Sequence, residues 1–152
     1  MSFNFSQLIA FQKKMKQLDK KIQDNICKDV VNGLASYLVE YTKLRTPVGH
    51  YPKNAKDKDG KKKRGGVLRR GWKAKGFRIP NGYEATVFNN IEYAPYVEYG
   101  HRIVRNDKTV GFMPGRHMLE KSIDEIRKIA DSYTRQKAEE TIRRILGNWK
   151  IK

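Results

Sequence analysis

Apolar side chains recur in steps of three and four over the first forty-odd positions: Leu8, Phe11, Met15, Leu18, Ile22, Ile26, Val30, Leu34, Leu38 and Tyr41. That spacing lines one face of an α-helix. Asn4 is the expected N-cap, with Gln7 as its capping-box partner and Phe3 and Leu8 as a hydrophobic staple. Lys43 and Arg45 suit the negative end of the helix dipole, and Pro47 stops the helix. A straight helix over about residues 5–44 is roughly 60 Å long at 1.5 Å per residue. A domain of this size does not need that length. Either the helix breaks near Asp24-Asn25 or Gly33, or its first half projects and packs on another subunit.

The pattern then changes. Two runs, 72–79 and 83–89, flank Pro80-Asn81-Gly82, a turn signal. In the second, Tyr83, Ala85 and Val87 alternate with Glu84, Thr86 and Phe88, which predicts a β-hairpin. Tyr93-Ala94-Pro95-Tyr96-Val97-Glu98-Tyr99 is too aromatic for a plain loop and reads as one short helical turn ended by Gly100. His101–Arg105 and Thr109–Met113 form a second short hairpin around Asn106-Asp107. Leu119, Ile123, Ile126, Ala130, Tyr133, Ile142, Ile145 and Trp149 return to helical spacing, with a weak patch at 134–141. Pro114 and Gly115 mark the start of this helix, and Gly147-Asn148 ends its regular part. With no repeat and no linker, 152 residues make one α+β domain: a long N-terminal helix, a small antiparallel sheet and a long C-terminal helix.

Charge sharpens this picture. Lys and Arg total 33 against 16 Asp and Glu, a net charge of +17. Over half of it lies in residues 53–78, where twelve cations face two carboxylates. Repulsion and interspersed glycines predict an extended, mobile basic loop over about 51–66. It is either a solvated loop or a contact to nucleic acid or to an acidic protein surface. No apolar run approaches the roughly 20 residues of a membrane span. The N-terminus does not read as a secretory signal, so a soluble, intracellularly made protein is expected.

Candidate chemistry is sparse. Cys27 is the only cysteine, which excludes an internal disulfide; it reads as a small packing residue. Glu98 and His101 stand as Glu-x-x-His, but di-metal sites need two such motifs and further carboxylates, and Gly100 interrupts this one. Adding His117 or His50 matches no zinc spacing. Gly60-Lys-Lys-Lys-Arg-Gly65 lacks the Gly-Lys-Ser/Thr ending of a phosphate loop. Nothing supports an enzyme, and no cofactor is expected.

Three pieces together resemble a known family. Thr46-Pro47-Val48-Gly49 ends a helix and is followed, after an interval, by Gly66-Val67-Leu68-Arg69-Arg70-Gly71-Trp72. Next comes Asn89-Asn90-Ile91-Glu92-Tyr93-Ala94-Pro95-Tyr96-Val97-Glu98-Tyr99-Gly100. The third piece is Gly111-Phe112-Met113-Pro114-Gly115-Arg116-His117-Met118-Leu119. The constellation, over roughly residues 30–130, is similar to the neck or tail-completion proteins of tailed bacteriophages, the lambdoid "gene product ten-like" tail components. The stretch 93–100 is its most specific part. The family's short Thr-Gly link is replaced here by Gly49 and about fifteen basic, glycine-containing residues.

The resemblance implies a structural protein of a virion or phage tail-like particle, made in the host cytoplasm. It would sit at the head–tail junction or the top of the tail, in a ring that is often six-fold. Its partners would be copies of itself and neighbouring neck, tail-terminator, tube or sheath proteins, with DNA passing through and no membrane. Tyr93, Tyr96, Glu98 and Tyr99 are the candidate subunit interface, because tyrosines give large amphipathic contacts at low entropy cost. The alternative is that these tyrosines cover the domain's own sheet. Glu98 would pair with a basic side chain within the chain or across a subunit boundary. Lys61, Lys62, Lys63, Arg64, Arg69 and Arg70 are the candidate contacts to an acidic partner or DNA. The runner-up is a basic nucleic-acid-binding accessory protein, with Trp72, Phe77 and Tyr83 stacking on bases.

Overall fold

The apolar stripe of the N-terminal third forms one uninterrupted helix, α1 (Phe5–Arg45). A five-residue helix α2 (Val67–Gly71) follows the basic loop and runs into a hairpin of β1 (Trp72–Ile79) and β2 (Gly82–Asn89). Then come α3 (Ala94–Tyr99), a second hairpin of β3 (Gly100–Arg105) and β4 (Lys108–Pro114), and α4 (Met118–Gly147). The computed structural model describes residues 5–56, 58–80 and 82–147. The expected cap at Asn4, the staple from Phe3, and Asn81, Asn148 and Trp149 lie outside the described residues. So do the side chains of Gln7, Leu8, Phe11, Met15, Leu18 and Ile145.

The class is α+β, as the periodicities imply, but the strands form two separate two-stranded antiparallel sheets. The first hairpin pairs Trp72 with Asn89 through to Ile79 with Gly82 and lies along α1. Tyr83, Ala85 and Val87 are half-buried, while Glu84 and Thr86 between them are exposed. The second hairpin turns at Asn106 and Asp107, both in the left-handed region at φ 47° and 59°. That is the geometry a two-residue hairpin loop with right-handed strand twist requires.

α1 and α4 run antiparallel. Arg45 lies 3.9 Å from Glu125, the Tyr37 and Tyr133 rings meet edge to face at 5.3 Å, and Arg144 bonds Asp29 at 2.8 Å. The apolar-poor stretch 134–141 is helical, and at its end Thr141 also reaches Asp29. The core is small. Val39, Leu68, Trp72, Ala94 and Met118 are buried together where the C-terminal end of α1 meets the N-terminal end of α4. Cys27, read from the sequence as a packing residue, is exposed on α1.

Of the two alternatives for α1, the helix does not break, and both candidate break points are docking points. Asp24 pairs with Arg78 near the tip of the first hairpin at 2.5 Å. Gly33 faces Tyr133 so closely that a Cβ would collide with the phenol oxygen. Burial raises the Tyr133 phenol above its ordinary value, and Lys137 pulls it the other way. The helix tolerates glycine because the bare backbone admits α4. Back from Asp24 to Phe5, α1 continues for about 28 Å at 1.5 Å per residue. Lys16, Asp19, Lys20 and Lys21 on that stretch are all exposed.

Glycine costs an ordinary helix about 1 kcal/mol relative to alanine, whereas overpacking costs about 1–3 kcal/mol. Gly33→Ala should therefore destabilise the chain by up to about 2 kcal/mol in urea unfolding. In a Tyr133→Ala background the same change should become neutral or stabilising. An equal loss in both backgrounds would refute the close approach as the reason for glycine.

Candidate functional site

The site begins where α1 ends. Thr46 and Thr42 are fully buried. The Thr46 hydroxyl donates to the Thr42 carbonyl at 2.6 Å and accepts the Trp72 indole N–H at 2.8 Å. The Thr46 carbonyl, which has no partner further along the helix, accepts Nε and Nη2 of Arg69 at 3.1 and 2.8 Å. A cation thus closes the negative end of the α1 dipole. Asn89 ties α2 to the second strand: its Nδ2 donates to the Leu68 carbonyl at 2.9 Å, and its Oδ1 accepts the Ile91 N–H at 3.0 Å.

The opposite arrangement closes α4. His117, the residue before Met118, is not an N-capping type. The carboxylate of Glu98, 6% exposed, takes that role from α3. It accepts the N–H groups of Met118 at 2.8 Å, Leu119 at 3.1 Å and Glu120 at 3.2 Å. The last carbonyls of α3 are used too: Arg116 N–H donates to Val97 at 2.8 Å and His117 N–H to Glu98 at 3.0 Å. These bonds hold His117 in the left-handed region, and its Nδ1 lies 2.8 Å from Glu120. Gly100, at φ 86°, and Gly115 lie back to back. A Cβ on either would strike the other segment's backbone.

The register of α3 follows. Ala94, Val97 and Glu98 turn inward, and Tyr93, Tyr96 and Tyr99 turn outward, at 46%, 57% and 68% exposure. The tyrosines do not cover the domain's own sheet. Tyr96 meets His101 edge to face at 6.1 Å. Of the four residues grouped as a candidate interface, three are on the surface; Glu98 is internal, and its partners are backbone N–H groups where a basic side chain was expected. Glu98, His101 and His117 do not converge. Among the described residues no three His, Cys, Asp or Glu side chains form a metal-binding group.

The basic segment folds back on itself where an extended loop was expected. Lys56 bridges Lys62, and Lys63 N–H donates to the Ala55 carbonyl at 2.8 Å. Lys61, Lys62, Lys63, Arg64 and Arg70 line a cavity of about 770 Å³ that also takes in Tyr93 and Val97. Tyr93 and Val97 continue into a second depression of about 600 Å³ beside Tyr96, His101 and Val104. The two groups of candidate residues, 30 positions apart in sequence, therefore meet at Tyr93. Arg69 is the exception, since its guanidinium is bound to Thr46. Trp72 is buried, and Arg78 lies 6.0 Å from the centre of the Tyr83 ring, so two of the three rings proposed to stack on bases are engaged within the fold.

Residues 9–100 match the family described as "Bacteriophage HK97-gp10, putative tail-component". The chain belongs to this family of phage tail components. No curated protein and no solved structure matches it. The match spans the end of α1, the Arg69–Trp72 stretch and the motif up to Gly100; it stops short of the third resembling piece at 111–119. As a tail component the chain is a structural protein of the virion that works in contact with other structural proteins of the particle. Among the described residues no helix is long and apolar enough to cross a membrane.

Sequence reasoning missed Thr46, Arg69 and Glu98 as the fasteners of this tail component. One signal was available for Glu98. Pro114-Gly115-Arg116-His117 precedes α4 without a Ser, Thr, Asp or Asn, so the cap had to come from elsewhere in the chain. Glu98→Ala leaves three helix N–H groups without their acceptor and should cost about 3 kcal/mol in urea unfolding, given 1.5–3 for a bond to a charged group. Glu98→Gln keeps one acceptor oxygen and should cost about half as much. Amide exchange at Met118, Leu119 and Glu120 should accelerate in both variants.

Proposed function

We propose that this tail component assembles with copies of itself into a ring at the upper end of the tail, where it completes the tail or joins it to the head. The observation that carries this reading is the aromatic and apolar surface left open by α3 and the second hairpin. Val104, Val110, Phe112 and Met113 are exposed on a two-stranded ribbon, beside the three outward tyrosines. A two-stranded hairpin is marginal by itself, and contiguous apolar patches of this kind mark interaction sites. The chain exposes 12,823 Å² for 17.7 kDa, against about 7,900 Å² for a compact monomer of that mass.

A closed ring built head to tail needs a second, different patch on each subunit. We assign it to the N-terminal half of α1, which continues past the Asp24–Arg78 pair and whose sequence keeps apolar positions at helical spacing. The net charge of +17 opposes self-association. Acidic neighbours in the neck, the tail terminator, tube or sheath proteins, or the DNA in the channel, would offset it.

Interrupting the gene in a producing strain should yield unjoined heads and tails, or tails of abnormal length, by negative-stain electron microscopy. The first outcome means joining and the second means termination; normal particles would sink the reading. At high salt, which screens the net charge in place of acidic neighbours, Tyr96→Glu with Phe112→Glu should convert rings of the purified chain to monomers in sedimentation velocity, with Tm unchanged because both side chains are exposed.

A further inference from the structure

The cavity between the basic segment and α3 has a composition that ring formation does not explain. Its deep residues are apolar: Leu68 is buried, and Val48 and Val97 are half-buried. Its outer residues are cations: Lys62, Lys63, Arg64 and Arg70 are all exposed. These cations are held in place. The Lys56–Lys62 bridge and the turn at Gly60, φ 75°, fold the segment into a short hairpin. Lys63 sits 5.4 Å from the centre of the Tyr51 ring, and Arg70 donates to the Gly65 carbonyl at 3.1 Å. Tyr93 closes the cavity on the side of α3.

We infer that this groove receives an extended segment of another structural protein of the particle, one carrying several carboxylates and at least one large apolar side chain. The inference rests on the reading of the chain as a component that works against other tail proteins. Cations held together on one rim repel one another, and carboxylates relieve that repulsion while being oriented by it. The apolar floor adds selectivity, because a hydrocarbon side chain leaves water only if it enters. A second copy of this chain is a poor occupant, since it carries the same excess of positive charge. Double-stranded DNA supplies phosphates, but its only methyl groups, those of thymine, lie inside the major groove and do not reach the floor when the phosphates meet the rim. Clusters of basic side chains reading acidic peptide motifs are an established mode of recognition.

The test uses the full chain and a fluorescein-labelled peptide, Glu-Ser-Glu-Leu-Glu-Ser-Trp-Glu-Ser-Glu, followed by anisotropy at one fixed salt concentration. A twin with Ser in place of Leu and Trp should bind about tenfold more weakly or worse, the effect of losing buried hydrocarbon. Replacing Lys62, Lys63 and Arg64 together by Ser should weaken the first peptide at least as much, with Tm unchanged. Equal binding of the twin would overturn the inference in favour of charge alone. Tighter binding of single-stranded oligothymidylate would overturn it in favour of nucleic acid, and unchanged binding by the triple variant would remove the groove altogether. The Tyr96→Glu, Phe112→Glu chain separates the two readings. Lost assembly with peptide binding intact supports the groove, whereas ring formation by a wild-type chain that fails to bind the peptide overturns the groove alone.

Discussion

Two long helices end in the same place, and their ends must be closed. The C-terminus of α1 leaves carbonyls without partners, and the N-terminus of α4 leaves N–H groups without partners. Both ends are packed around a core of only a few residues, where unpaired backbone groups are costly. The fold meets this constraint with two charged side chains of opposite sign, Arg69 from α2 and Glu98 from α3. Each sits on the dipole end that favours its charge. The short helices between the long ones are therefore the fasteners that set the long helices in register.

This constraint explains much of the residue choice around the two helix ends. Thr46 is a threonine because its hydroxyl has both a donor and an acceptor to satisfy, the Trp72 indole and the Thr42 carbonyl. Glu98 needs three N–H groups beneath it, so the chain must turn sharply at Gly100 and pass Gly115 at close range. Once Ala94, Val97 and Glu98 are committed inward, a helix of six residues has no choice but to present its tyrosines outward. Surface chemistry and internal fastening are thus coupled: the same turn of helix that closes α4 displays Tyr93, Tyr96 and Tyr99.

The division of the molecule follows. Packing is concentrated at one end, where α2, α3 and the starts of β1 and α4 surround Val39 and Met118. The second hairpin and the leading half of α1 extend away from it. An assembly component is well served by such a plan, because a small closed core keeps the subunit folded while projecting elements remain available to neighbours.

Local patterns read along the chain were enough for the two long helices, both hairpins and the turn at 93–100, since a period of 3.6 or 2 and the chemistry of Gly, Pro and Asn act over a few residues; the five-residue α2 is too short to show a period and was missed. They were also enough for the charge excess and for the family, which three short stretches of the chain resemble. They left α1 open between a break at Asp24-Asn25 or Gly33 and a projecting first half, because the partners that make those positions favourable in an unbroken helix, Arg78 and Tyr133, are 54 and 100 positions away. They grouped Glu98 with the tyrosines and Arg69 with the loop cations, because a charged residue on a short helix has no periodicity to reveal its direction. The elements and the family are properties of neighbouring residues and belong to the sequence by itself. Which charge closes which helix, and that Tyr93 meets the basic groove, were decided only when the chain folded, because electrostatic satisfaction depends on distance in space.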